Sequence, residues 1–322
     1  MANVLITGCG GFVGRVLAKR LQGAGHDVWG IDRIGTQTGL AGARCVAGDL
    51  TDPAVVIDLL DRTSPDWIVH LAAQSSVRKS FDEPYATIVN NTLPTLNLLN
   101  DLKASGRPVR LLVVGSADEY GVVAEDQLPI REDAPVNPES PYALGKSIQN
   151  QCCLGFSSLY GLNVIVTRSF NHTGAGQSDA FVLPGFAKQV AGIKLGQCEP
   201  VMRVGNLDVR RDFTDVRDVC DAYVALLEQG APGETYNVCS GVSHSIRALL
   251  NQLCELAGIE VELKVDPDRL RPVDMPDLRG DGSKIREATG WSPSIPIADT
   301  LQSLLDYWIE HLSARENTNT GQ

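Results

Sequence analysis

Tyr142 and Lys146 stand four residues apart in SPYALGKSIQNQCCLGFSSLYG, residues 140–161. The stretch reads as one helix: Ser140 suits the N-cap, Pro141 the first helical position and Gly161 the stop. Ile148, Cys152, Phe156 and Leu159 recur at helical spacing and are expected to form its buried face. A spacing of four puts the phenol and the ammonium on one side of the helix. A free phenol ionises near ~10 and is a poor acid–base group at neutral pH. A neighbouring cation favours the phenolate, so Lys146 is expected to lower the pKa of Tyr142. Surface helices carry the same spacing by chance, so the pair gains meaning only beside a cofactor site and a third polar group.

Both are present in the sequence. Residues 3–7, NVLIT, read as a buried strand, followed by GCGGFVG and an amphipathic run. Gly8, Gly11 and Gly14 form G-x-x-G-x-x-G, with Gly10 additional and Phe12 and Val13 inside it. Strand, glycine turn and helix N-terminus make a pyrophosphate cradle, the pattern of a dinucleotide site. Asp32 ends the second expected strand, where a carboxylate accepts hydrogen bonds from an adenosine ribose and favours NAD(H). Arg33 follows at once and could grip a 2′-phosphate, which keeps NADP(H) open. Asp49 and Leu50 end a third strand and are candidate adenine-edge contacts. Leu71, Ala72 and Ala73 end a fourth, in a turn small enough to pass close to a cofactor. Ser116 ends a fifth, in GSADEYG, just before the helix that starts with Tyr142.

Strand and helix alternate through this half, which implies a parallel sheet with helices on both faces and ligands beyond the carboxyl ends of the strands. Ser116, Tyr142 and Lys146 are therefore expected to converge. The chain has 322 residues, 28 basic and 39 acidic, for a net charge of −11. That balance argues against a general nucleic-acid or anionic-membrane binder. No apolar run suggests a signal peptide or a membrane span. The eight cysteines show no zinc-type spacing, so no metal is expected, and reduced thiols of a cytoplasmic protein are the simplest reading.

T-G-x-x-G-x-x-G near the N-terminus, H-L-A-A, S-x-x-x-Y-G and S-P-Y-x-x-x-K together resemble the extended short-chain dehydrogenase/reductase family over nearly the whole chain. The resemblance implies a Rossmann-type doubly wound α/β sheet with a smaller C-terminal α/β lobe that binds substrate. Residues 1–170 would form the dinucleotide-binding half, to which a helix at 215–228 returns. Residues 171–312 would mainly form the substrate lobe, and 313–322 a disordered tail. It further implies Tyr142 as acid/base, Lys146 as the group that tunes it and holds the nicotinamide ribose, and Ser116 as a hydrogen-bond donor to the substrate oxygen. A homodimer through a four-helix bundle is also implied, built from the long helix after Pro84 and the Tyr–Lys helix.

The strings RSFNHTGAGQ, EPVMRVGNLDVRRDFTDVRDV and RPVDMPDLRGDGSKIREATGW resemble the nucleotide-diphosphate-sugar branch of that family, the GDP-mannose dehydratases with their associated 4-keto reductases. The resemblance implies a GDP-sugar contacted by Asn171, Arg211 and Arg271, with Val204 expected in the base pocket and Lys188 a further candidate cation. Arginine forks suit a diphosphate. In the dehydratases the eliminating base is a Glu two residues before the Tyr of Y-G. Here that position is Asp118, one methylene shorter, and a small misplacement of a base is costly. Asp118 is thus at most auxiliary, and Glu119 is expected to point away. Reduction of a C4 ketone needs only Ser116, Tyr142, Lys146 and reduced cofactor, and is the favoured reaction. Dehydration and 4-epimerisation are the alternatives. A non-catalytic sensor could have discarded Tyr142 or Lys146, and both are present.

Overall fold

The computed structural model describes residues 1–33, 44–269 and 275–319. Seven strands form one parallel sheet in the order Thr235–Val238, Val164–Ser169, Arg110–Ser116, Trp67–His70, Asn3–Thr7, Asp27–Asp32 and Arg44–Ala47. Apolar strands are buried on both faces because helices cover both. On one side Phe12–Gly23 and Val216–Gln229 pack on Val4, Ile6 and Leu112. On the other Pro53–Thr63, Pro84–Ser105 and Pro141–Tyr160 pack on Leu5, Ile68 and Leu111. This is the doubly wound α/β arrangement.

A second lobe surrounds its own core. Arg210–Asp215 pairs with Asn171–Thr173, Ser243–Ser245 and Asp277–Leu278, and Val201–Val204 pairs with Glu262–Val265. Helices Val182–Lys194, Ile246–Ala257 and Ile297–Asn319 enclose Leu183, Phe186, Leu250, Leu253, Leu301 and Leu305. The last helix runs past residue 312 to Asn319, so residues 313–319 are helical where a disordered tail is the expectation, and 320–322 lie outside the described residues.

The chain passes between the two lobes over very short joints. Ser169 ends a strand of the large sheet, and Asn171 begins one of the second lobe. Between them Phe170 is buried, with its ring lying on Gly280, where a Cβ would sit 2.6 Å from it. Asp215 ends a second-lobe strand, and Val216 at once begins the helix that packs on the large sheet.

The helix Pro141–Tyr160 has the expected ends. Ser140 Oγ accepts from the Ala143 N–H at 3.1 Å, and Gly161 takes a left-handed φ of 69°. Its buried face differs from the expectation. Tyr142, Lys146, Gln149, Asn150 and Cys153 are inside. Ile148, Cys152 and Phe156 are only half-buried, and Leu159 is 75% exposed. The inner face is polar because its groups satisfy one another, a pairing that apolar periodicity cannot reveal.

Candidate active site

The glycine turn begins with Gly8, at φ +69°, whose added Cβ would lie 3.0 Å from the Ala72 backbone. A left-handed residue without a side chain lets the turn rest against the end of the neighbouring strand. Thr7 Oγ1 fixes that neighbour by accepting from the N–H groups of Leu71 (3.2 Å) and Ala72 (3.1 Å). Gly14 packs so closely that a Cβ would come within 2.5 Å of the Gly8 carbonyl oxygen. The helix starts at Phe12 after Gly11, with no acidic residue in its first turn, so its positive end is free to meet an anion. Asp32 accepts from the Gly10 N–H at 3.1 Å. Arg33 donates to Asn90 at 2.8 Å and lies 3.4 Å from the Asp49 carboxylate.

At the other end Ser116, Tyr142 and Lys146 come together. Ser116 Oγ accepts from the Asp118 N–H at 3.2 Å, and Ser116 and Tyr142 line the same cavity. Lys146 Nζ donates to the Val114 carbonyl at 2.7 Å and to Gln149 Oε1 at 3.3 Å. Burial lowers Lys146 to about 8, opposed by the charge of Glu119. The Tyr142 phenol is pushed up, chiefly by burial and then by the charge of Asp118. The expected lowering by Lys146 is thus not what this arrangement produces. Burial stabilises the neutral phenol, and the ammonium is engaged with a carbonyl and an amide.

One cavity of about 690 Å³ joins the two ends. Gly8, Gly11, Phe12, Val13 and Gly14 line it from the turn. Asp32, Arg33, Asp49 and Leu50 line its outer end, and Leu71, Ala72 and Ala73 its floor. Ser116, Asp118, Tyr142 and Lys146 stand at the centre, with Asn171 and Arg211 on the second-lobe side. The glycine cradle and the acid-free helix start fit a dinucleotide, and the remaining length extends toward Arg211.

Two of the expected substrate residues are not among those lining the cavity. Lys188 pairs with Asp179 at 2.6 Å and lies over the Trp308 ring at 5.3 Å. Val204 is buried in the second-lobe core because its strand faces helices there. Arg271 lies outside the described residues. Glu119 is not among the residues lining the cavity: a 3-10 turn, Ala117–Tyr120, and not an extended segment, carries it fully inside beneath Ser116. The sequence reading missed Asn90, Gln177, Phe181, Tyr223 and Leu278, which also line the cavity. Each sits mid-element or in a loop without a local signature. His172 also lines it, stacked on Phe12 at 6.5 Å between ring centres. Burial lowers its pKa, consistent with a structural part.

Among the described residues no group of His, Cys, Asp and Glu could hold a metal ion, and no helix is long and apolar enough to cross a membrane.

A parallel sheet with a glycine turn and a Ser–Tyr–Lys group opening on one cavity defines a short-chain dehydrogenase/reductase of the extended type. The chain belongs to the GDP-mannose 4,6 dehydratase family, whose model matches residues 5–304. It is 39% identical over 306 residues to the GDP-6-deoxy-D-mannose reductase of Pseudomonas aeruginosa, spanning 95% of this chain and 97% of that one. The structure of RMD from Pseudomonas aeruginosa complexed with NADPH matches with a TM-score of 0.87 at 37% identity, covering 97% of this chain and 100% of that chain. UDP-glucose 4-epimerase from Thermotoga maritima with UDP-glucose matches with a TM-score of 0.88 at 25% identity, covering 96% and 99%.

Proposed function

We propose that the protein reduces the C4 ketone of GDP-4-keto-6-deoxy-D-mannose to a GDP-6-deoxyhexose of the GDP-D-rhamnose type, using NADH or NADPH. The observation that carries this reading is the meeting of Ser116, Tyr142 and Lys146 in one cavity with the glycine turn, where burial also pushes the Tyr142 phenol up. Reduction needs a protonated donor, and such a phenol stays protonated at neutral pH. A dinucleotide held by the glycine turn would supply the hydride that C4 receives. Tyr142 gives its proton to the ketone oxygen as it becomes a hydroxyl, and Ser116 stabilises the charge building there. Lys146 holds the nicotinamide ribose and supports the phenol as it loses its proton. The relatedness to the Pseudomonas reductase supports the choice of sugar.

In this reading the large sheet, residues 1–170 with the helix Val216–Gln229, holds the dinucleotide through the glycine turn, Asp32, Arg33, Asp49 and Leu50. The second lobe holds the GDP-sugar, with Asn171 and Arg211 toward the diphosphate. Subunits pair as a homodimer through Pro84–Ser105 and Pro141–Tyr160, whose outward Tyr85, Leu144 and Leu159 are exposed apolar side chains. Eight free thiols suit the cytoplasm.

The test is incubation with GDP-4-keto-6-deoxymannose and either reduced cofactor, with the sugar product resolved by NMR. Oxidation of cofactor with formation of a GDP-6-deoxyhexose supports the proposal. Turnover only of GDP-mannose with loss of the C6 hydroxyl, or only of UDP-sugars without net redox, replaces it with dehydration or epimerisation.

A further inference from the structure

Glu119 is a carboxylate with no exposed surface, directly behind the site. Its oxygens accept from the Ser116 N–H at 2.8 Å, from Asn150 Nδ2 at 2.7 and 2.8 Å, and from Arg168 Nε at 3.3 Å. These partners are all donors, so the group is satisfied only as an anion. Gly115 makes room for it: a Cβ there would come within 2.5 Å of Glu119 Oε1 and 2.3 Å of Asn150 Nδ2.

The same network runs on to Lys146. Gln149 Nε2 donates to Asn150 Oδ1 at 3.5 Å, and Gln149 Oε1 accepts from Lys146 Nζ at 3.3 Å. Residues 146, 149 and 150 are spaced so that one helix face carries the whole relay. Two buried cations, Lys146 and Arg168, therefore face one buried carboxylate. Arg168 also lies over the Tyr120 ring at 4.6 Å and donates to the Glu132 carbonyl. Lys146 has Val114 O and Gln149 as its hydrogen-bond acceptors.

We propose that Glu119 is a positioning residue of the reaction: its carboxylate is the counter-charge that keeps buried Lys146 an ammonium, and it fixes the backbone of Ser116. This rests on the reading that Lys146 and Tyr142 serve catalysis. Burial alone disfavours a lysine cation, and a nearby anion restores it. The other groups around the pair supply no replacement. His70, from the strand Trp67–His70, is pushed down to about 3 by burial and stays neutral. Tyr142 and Cys153, on the helix of Lys146, are both raised by burial and stay protonated. Asp118 lines the cavity and acts on Tyr142. Arg168, on the strand Val164–Ser169, is the second cation.

The test compares wild type with E119Q, E119D and the double variant E119Q/R168M, which removes both members of the buried ion pair. The pH profile of kcat/KM is measured with GDP-4-keto-6-deoxymannose and NADPH. In parallel, the pH dependence of Lys146 acetylation by acetic anhydride is read by peptide mass. In E119Q the alkaline limb of kcat/KM is expected about one pH unit lower, with Lys146 acetylation rising at correspondingly lower pH. E119D recovers part of the shift. The double variant keeps the displaced limb, which a purely structural role for the pair would not produce. An unchanged limb and unchanged Lys146 titration in folded E119Q, or in the double variant if E119Q does not fold, overturns the proposal. If wild type does not turn over this sugar, the functional reading fails, and the acetylation profile alone decides the role of Glu119.

Discussion

Glu119 and Asp212 are buried carboxylates, one in each half of the molecule, and their surroundings differ in kind. Glu119 faces two amide donors, a guanidinium and, through Asn150 and Gln149, an ammonium. Among the described residues Asp212 has no cation as a hydrogen-bond partner. It accepts from the Ser240 N–H at 2.8 Å and hydroxyl at 2.5 Å, and from the N–H groups of Gly241 (3.0 Å) and Gly280 (3.2 Å). Burial pushes both carboxyl groups up, against these donors. The first carboxylate communicates charge to the reacting end of the cavity. The second ties two loops of the substrate side together. Equal burial thus serves electrostatics in the sheet half and shape in the smaller lobe.

Four outcomes put that contrast at risk. The largest effect is expected at the sheet half: Tyr142→Phe should lower kcat by about 10²–10⁴-fold while the cofactor dissociation constant, measured by nicotinamide fluorescence, stays within a few-fold. Retained turnover would remove Tyr142 as proton donor. On the lobe side, Arg211→Ala should raise KM for the GDP-sugar by roughly 10–100-fold, the cost of losing a charge-assisted hydrogen bond, with kcat much less affected. An equal loss of cofactor binding would place Arg211 on the other ligand.

The third outcome concerns pH. A lysine whose pKa is depressed loses its ammonium as pH rises, so kcat/KM, which reports the free enzyme, should fall about tenfold per unit above a pH of about 8. The Tyr142 phenol is pushed up in the free protein and should add no break near neutrality. A profile flat through pH 9 would contradict the role of Lys146. The smallest effect on rate is expected for Asp212→Asn. The variant should lose about 1–3 kcal/mol of stability, read by urea denaturation, and leave the pH profile in place. A displaced profile would erase the difference between the two carboxylates.

The elements and the centre of the site were legible because their signals are local. Ser140, Pro141 and Gly161 mark a helix with its ends, and Gly8, Gly11 and Gly14 mark a turn that tolerates no side chain. Strand ends then placed Asp32, Leu71 and Ser116 on one cavity by topology alone. The errors share one cause, which is that burial of polar groups depends on distant partners. Ile148, Cys152, Phe156 and Leu159 read as the buried face of the Tyr–Lys helix, yet Gln149 and Asn150 lie inside because Val114 and Glu119 supply their partners. Glu119 read as directed away from the substrate, and it is absent from the cavity lining, but its burial was hidden because an extended segment was assumed where a 3-10 turn forms. Lys188 read as a candidate phosphate contact from its charge, and its pairing with Asp179, nine residues earlier, carried no signal in the sequence.

Phe170 alone separates a strand of one sheet from a strand of the other, and Asp215 and Val216 make the return crossing with no residue between them. A lobe stitched in at both edges cannot be exchanged as a cassette between related enzymes. New sugar preferences in this architecture must instead arise by substitution within the wall of the existing cleft, one side chain at a time.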